Sequence, residues 1–145
     1  MSRRLPAAPP PFEILEHTAD AGIIARGDTL PELFAHAAEG MYALIVNASD
    51  VRETDVRTVS IGGNFLARLL TDWLLELLFI TETEGMLFRR FEVVVEDGFV
   101  RGQAFGERID RARHELRGDI KGVTRHLLEV RREDGGYRAQ VLFDM

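Results

Sequence analysis

The sequence predicts an α+β fold, a single domain of mostly antiparallel β-sheet with two main helices packed on it, and three observations carry that expectation. Two stretches in the first half, Leu33 to about Val46 and Phe65 to about Thr81, repeat apolar residues at three- and four-residue steps, the period of a helix with a buried stripe. The second half changes period, and residues 88–96 and 99–107 flank Asp97-Gly98, the strongest short hairpin signal a sequence offers. In the last segment Tyr137, Ala139, Val141 and Phe143 alternate with Arg138, Gln140, Leu142 and Asp144, as in a strand with one covered face. Strands joined by tight turns, rather than strands alternating with helices, imply antiparallel pairing.

The elements follow in order. Met1 to Pro11 holds four prolines and is expected to be a flexible tail, so the domain proper is 12–145. Phe12, Ile14 and Leu15, then Ile23, Ile24 and Ala25, read as two strand pieces around a bend at Glu16 to Gly22. Thr29-Leu30-Pro31-Glu32 is a helix start: Thr29 can cap, Glu32 can return the bond, and Pro31 lies in the first turn where a missing N–H is harmless. His36 and Glu39 face away from that helix's apolar stripe, which makes His36 a solvated surface histidine. Val56 to Ile61 reads as a strand stopped by Gly62-Gly63, with Asn64 capping the second helix. Gly62-Gly63-Asn64 could also hold an anion at a helix start, although such a stretch is more often a plain strand-to-helix turn. Apolar residues cover most of the second helix's circumference, leaving a polar strip of Arg68, Thr71, Asp72 and Glu76, so it is expected to be the buried central helix. Arg68 and Asp72 are spaced to pair. A polar segment, Arg108 to Asp119, then leads to a strand from Gly122 to Arg131, a turn at Asp134-Gly135-Gly136, and the last strand.

Composition narrows the function classes. A chain of 145 residues can bury roughly 70% of its unfolded surface as one core. A net charge of −6 disfavours a broad cationic face for nucleic acid. With no cysteine there are neither disulfides nor thiolate metal ligands. The proline-broken start does not read as a signal peptide, and three charges in so short a span argue against the second helix crossing a membrane. A cytoplasmic protein is the expectation.

The chemistry-bearing residues are few. Glu16-His17-Thr18-Ala19-Asp20 packs an imidazole, a hydroxyl and two carboxylates into one bend. An Asx-type turn that satisfies its own backbone accounts for part of this, yet such a turn has no need of a histidine three residues before an aspartate. All eighteen basic residues are arginine except Lys121. Either chance or a need for a compact ammonium facing a single oxygen explains that survivor. No Cys/His nucleophile, phosphate loop or HExxH pattern is present. What remains is a hard-oxygen site: Asp20 after the first strand piece, Asp144 at the end of the last strand, and the main-chain oxygens of Met145 beside it. Two carboxylates with main-chain oxygens suit Ca²⁺, Mg²⁺ or Mn²⁺ rather than zinc. Pattern alone does not bring residues 20 and 144 together.

From Phe12 to Met145 the chain resembles the archease family. The resemblance is carried by Phe-Glu-Ile-Leu-Glu-His-Thr-Ala-Asp at 12–20, Asp-Trp-Leu-Leu-Glu-Leu-Leu at 72–78, Thr-Glu-Gly at 83–85, Ala-Phe-Gly-Glu at 104–107, Arg-His-Glu at 113–115, Ile-Lys-Gly-Val-Thr at 120–124 and the closing Val-Leu-Phe-Asp-Met. Ala21, Gly122 and Met145 stand where the family usually has an aliphatic residue, alanine and isoleucine. What the resemblance implies is an accessory protein, not itself an enzyme, of the RtcB-type RNA ligase that joins 2′,3′-cyclic-phosphate and 5′-hydroxyl ends in tRNA splicing and RNA repair. Family members promote guanylylation and multiple turnover of that ligase. The implied divalent-metal ligands are Asp20, Asp144 and the main-chain oxygen of Met145. His17 is then expected to orient Asp20, while Glu115 and Lys121 line the same tip and contact the ligase. The implied partner is the ligase, with no strong direct nucleic-acid binding and no membrane. Two rivals remain: a general chaperone or modulator of nucleic-acid-modifying proteins, acting through an apolar surface, and a stand-alone metal-dependent hydrolase with His17 as its base.

Overall fold

A computed structural model of the chain describes residues 9–16 and 20–145. The expected tail at 1–8 and the residues His17 to Ala19 lie outside the described residues. In chain order the elements are β1 (Phe12–Glu16), β2 (Ala21–Gly27), α1 (Leu30–Ala43), β3 (Asp55–Gly62), α2 (Leu66–Glu84), β4 (Met86–Glu96), β5 (Phe99–Arg108), β6 (Gly122–Glu133) and β7 (Gly136–Asp144). The strands form two antiparallel sheets rather than one, a four-stranded sheet in the order β1-β2-β7-β6 and a three-stranded sheet in the order β3-β5-β4. Helix α1 packs on β1, β2 and β7 of the first sheet and on β4 of the second; α2 packs on β3, β4 and β5 and reaches β6. Both helices therefore join the two sheets, and the core lies where they meet.

Local chemistry explains most boundaries. Thr29 caps α1, its hydroxyl accepting the Glu32 amide at 3.3 Å, and the Glu32 carboxylate accepts the Asp28 amide at 2.8 Å. The reciprocal bond thus closes one residue before the cap. The expected extension of α1 to Val46 is a tightened exit: Leu44 and Ile45 bond back three residues, to Met41 and Tyr42. His36 departs from expectation, because α1 lies on β2. It is half-buried, and its Nδ1 is 2.5 Å from the Arg26 carbonyl.

Helix α2 begins at Leu66 with Phe65 in the capping position and no side-chain cap bond, so Asn64 does not cap it. The cause is upstream: the Gly63 amide bonds the Gly98 carbonyl at 3.1 Å, which keeps the chain in the β5 hairpin one residue longer. Arg68 and Asp72 do pair, at 3.7 Å. The helix is not buried all round. Leu69, Leu70, Trp73, Leu74, Leu77 and Ile80 are covered, while Leu75 and Phe79 are 40% and 59% exposed, bordering a shallow depression beside Ser60 to Gly62 of β3. In the core Tyr42 meets Phe88 edge-on and stacks on Phe91, and the Trp73 indole N–H donates to the Phe34 carbonyl at 3.0 Å. These aromatic polar ends are satisfied inside the core, as burial requires.

The β4–β5 hairpin turns at Asp97-Gly98 as predicted. The β6–β7 hairpin turns at Asp134-Gly135, with φ of 50° and 80°, the paired left-handed geometry that suits a two-residue loop. Ala139, Val141 and Phe143 point into the core, as the alternation in β7 required. Leu142, on the opposite face, is nevertheless only 3% exposed, for a reason that lies at the candidate site.

Candidate functional site

Asp20 and Asp144, far apart along the sequence, both lie at the same end of the two central strands of the four-stranded sheet. β2 and β7 pair with Ala21 opposite Phe143 and Gly22 opposite Leu142. Asp20 immediately precedes Ala21 and Asp144 immediately follows Phe143, so the two aspartates flank the last pair of this ladder, and one more step of the same register would set them across from one another. Adjacent residues on such a rung have Cα atoms about 4.5–5.5 Å apart. Ile23, Ala25, Ala139, Val141 and Phe143 are fully buried against the helices. By strand alternation Asp20 and Asp144 then belong to the opposite, outward face. Asp20 is half-buried and Asp144 exposed.

On the other side of β7, Gly122 pairs with Asp144, and the Lys121 amide donates to the Asp144 carbonyl at 2.7 Å. That bond holds the last rung closed and puts Lys121 beside Met145. Met145 packs its methyl group over Gly118, so close that a Cβ there would lie 2.7 Å from it. Beside the aspartates, Leu142 lies flat across Gly22. A Cβ on Gly22 would sit 2.4 Å from Leu142 Cδ2 and 3.0 Å from the Val141 carbonyl oxygen, so only glycine allows the approach that buries Leu142. Leu142 therefore forms a buried aliphatic patch on the same face, next to the aspartates. Among the described residues no three side chains of His, Cys, Asp or Glu converge. Two carboxylates here would need main-chain oxygens to complete a cation's shell, and an oxygen-only set suits a hard divalent ion.

The segment leading to this tip, residues 109–121, lacks regular structure and is bolted down at intervals. Ile109 N–H bonds the Gly85 carbonyl at 2.7 Å, Arg117 N–H bonds the Ile45 carbonyl at 2.7 Å, and Lys121 closes on Asp144. Between them sits a buried ionic cluster that sequence reasoning missed. Glu107, at 7% exposure, accepts bonds from the Arg52 amide at 2.6 Å, from His114 Nε2 at 3.1 Å and from the Arg113 guanidinium. The Asp110 amide donates to His114 Nδ1 at 2.9 Å, which assigns the tautomer that carries its proton on Nε2. Burial by itself would raise the Glu107 pKa, but the bonds from Arg113, the Arg52 amide and His114 outweigh it and hold the carboxyl at about 2. The available signal was the repeated nearness of Glu107 to Arg113-His114 in a short window, two of the pieces quoted above. Glu115, next in line, is exposed and forms no hydrogen bond or ion pair among the described residues. His17 lies outside the described residues.

The fold and this strand-end constellation define a small two-sheet α+β protein with an acidic tip. The sequence profile of the Archease protein family (MTH1598/TM1083) matches residues 12–145, and the chain belongs to that family. It is 41% identical over 138 residues to the archease of Methanothermobacter thermautotrophicus, spanning 92% of this chain and 98% of that one. The solution structure of Methanobacterium thermoautotrophicum protein 1598 superposes with a TM-score of 0.83 at 40% identity, covering 93% of this chain and 99% of the other. A Thermotoga maritima archease crystal structure, described as a possible chaperone, shares the fold at a TM-score of 0.64 and 19% identity, covering 99% and 100%. No helix among the described residues is long and apolar enough to cross a membrane.

Proposed function

We propose that this protein is an accessory factor of an RtcB-type RNA ligase, and that it promotes guanylylation of the ligase's active-site histidine, and hence repeated turnover, from the acidic tip. Asp20, Asp144 and the main-chain oxygen of Met145 would hold a calcium, magnesium or manganese ion there. The observation that supports this reading is the β2–β7 register, whose last pair, Ala21–Phe143, is flanked by the two aspartates. Chemistry supports it, since carboxylate and carbonyl oxygens at about 2.0–2.6 Å are the donors these ions take. When bound, such an ion supplies a concentrated positive charge against which phosphate oxygens can be ordered.

The chain's own residues do the remaining work. Asp20 and Asp144 offer carboxylates from neighbouring chain segments, and Leu142 over Gly22 excludes water from the surface beside them. The Lys121 amide keeps the end of β7 from fraying, while its ammonium offers a point charge to a single oxygen of the partner. His17 is assigned the orientation of Asp20, and Glu115 a contact with the ligase. The client in this reading is the ligase rather than its RNA, because a chain of net charge −6 repels phosphates. The protein contributes no catalysis of its own and works in the cytoplasm. Asp20→Ala and Asp144→Ala in a guanylylation assay with the cognate ligase should each abolish stimulation. Full stimulation by both variants would overturn the reading.

A second reading, a chaperone acting through an apolar surface, is favoured by Phe65, Leu75 and Phe79, which are 74%, 40% and 59% exposed around α2. It predicts that suppression of client aggregation survives the aspartate variants and is lost when Phe79 becomes charged.

A further inference from the structure

β6 carries another feature close to the same end of the sheet. Its register against β7 runs Gly122–Asp144, Val123–Phe143 and Thr124–Leu142, then resumes at Glu129–Gln140. Arg125, His126, Leu127 and Leu128 together stand opposite Val141 alone, a wide bulge on the strand that forms the free edge of its sheet. Leu128 turns inward and packs on the core, whereas Arg125, His126 and Leu127 are exposed. Leu127 has a φ of 55°, the left-handed region in which a leucine Cβ crowds the following carbonyl. Two bonds hold it there: the His126 amide to Thr124 Oγ1 at 2.8 Å, and the Gln140 side-chain amide to the Leu127 carbonyl at 3.1 Å.

Asparagine would accept that backbone with less strain, and leucine recovers little by burial because it is 53% exposed. Edge strands are normally protected by charge, not by an outward leucine. A contact that covers the side chain reconciles the choice of residue with its conformation. The surroundings indicate the chemistry of that contact. Further along β6, Arg131 is paired with Glu129 and Glu133, but Lys121 and Arg125 take part in no ion pair among the described residues. On an acidic chain Arg125 thus offers an unpaired guanidinium two residues from the exposed leucine, while Lys121 lies at the aspartate tip.

We propose that the 125–128 bulge is a docking knuckle for an acidic protein surface bearing an apolar socket, and that it seats the ligase beside the aspartate tip. The identity of that partner rests on the ligase reading above. The test is the Kd for the cognate ligase of the wild type and of Leu127→Asn, Leu127→Met and Arg125→Glu, with Tm measured alongside. Leu127→Asn should bind about tenfold more weakly, the scale of truncating an anchor, with Tm unchanged or raised. Leu127→Met should bind within about twofold of wild type, and Arg125→Glu should weaken binding in a salt-dependent way. Wild-type binding by both Leu127→Asn and Arg125→Glu overturns the knuckle and leaves the ligase reading standing. Loss by these variants of affinity for a single-stranded RNA oligomer, with ligase binding intact, also overturns it. A wild-type protein that neither binds nor stimulates the ligase overturns both.

Discussion

Replacing Glu107 by glutamine should destabilise the protein and change the way its stability responds to acid. The substitution keeps the side chain's shape but removes the charge that Arg113, His114 and the Arg52 amide converge on. Breaking a buried pair by neutralising one member costs about 3–5 kcal/mol. Arg113's side chain is 30% exposed and can turn to water, which brings the expected cost to about 2–3 kcal/mol. For a domain of this size about 2–4 °C of Tm accompanies each kcal/mol, so Tm at pH 7 should fall by about 5–10 °C. The sign of the pH effect follows from the depressed carboxyl. Its folded pKa, about 2, lies below the ordinary 4.5, so its stabilisation is complete above about pH 4.5 and is lost as pH falls toward 2. Thermal unfolding followed by circular dichroism at pH 7 and pH 2.5 reads both quantities. The gap between wild type and Glu107→Gln should be wide at pH 7 and narrow at pH 2.5. An equal gap at the two values, or none at pH 7, would refute the assignment of Glu107 as an ionised anchor for the segment leading to the tip.

Gly22→Val should lower stability by about 1–3 kcal/mol, since its Cβ would meet Leu142 Cδ2 and the Val141 carbonyl at 2.4 and 3.0 Å. It should also weaken divalent-cation binding by displacing the rung that precedes Asp144, which calorimetric titration would detect. Phe79→Asp removes an exposed side chain and should shift stability by no more than about 0.5 kcal/mol, with guanylylation stimulation unchanged. If a light-scattering assay shows that the same variant fails to suppress client aggregation, the apolar face of α2 has a role separate from the tip.

The legible parts of the sequence were those where one local signal had one physical outcome. Thr29, Pro31 and Glu32 fixed the start of α1, Asp97-Gly98 fixed a turn, and the alternation from Tyr137 to Phe143 fixed which face of β7 is covered. Asn64 misled because a distant carbonyl, that of Gly98, holds the chain at Gly63 and the helix starts only after Phe65. The mostly apolar circumference of α2 misled because apolarity records what a surface prefers, not how much of it the neighbouring sheets cover. Two sheets rather than one, the bulge of β6 and the Glu107 cluster all depend on pairing between segments far apart along the chain, for which spacing carries no code. At the tip, the sequence offered Asp20 and Asp144 as candidates on chemical grounds. That they flank the last pair of the β2–β7 ladder became visible only through its register.

Calorimetric titration of Mn²⁺ and Ca²⁺ into the wild-type protein, Asp20→Ala and Asp144→Ala tests the strand-end site most directly. If carboxylates from both strands grip one ion, the wild type binds a single equivalent and each substitution alone removes that binding. A wild type that binds neither ion, or single variants that bind as the wild type does, would contradict it.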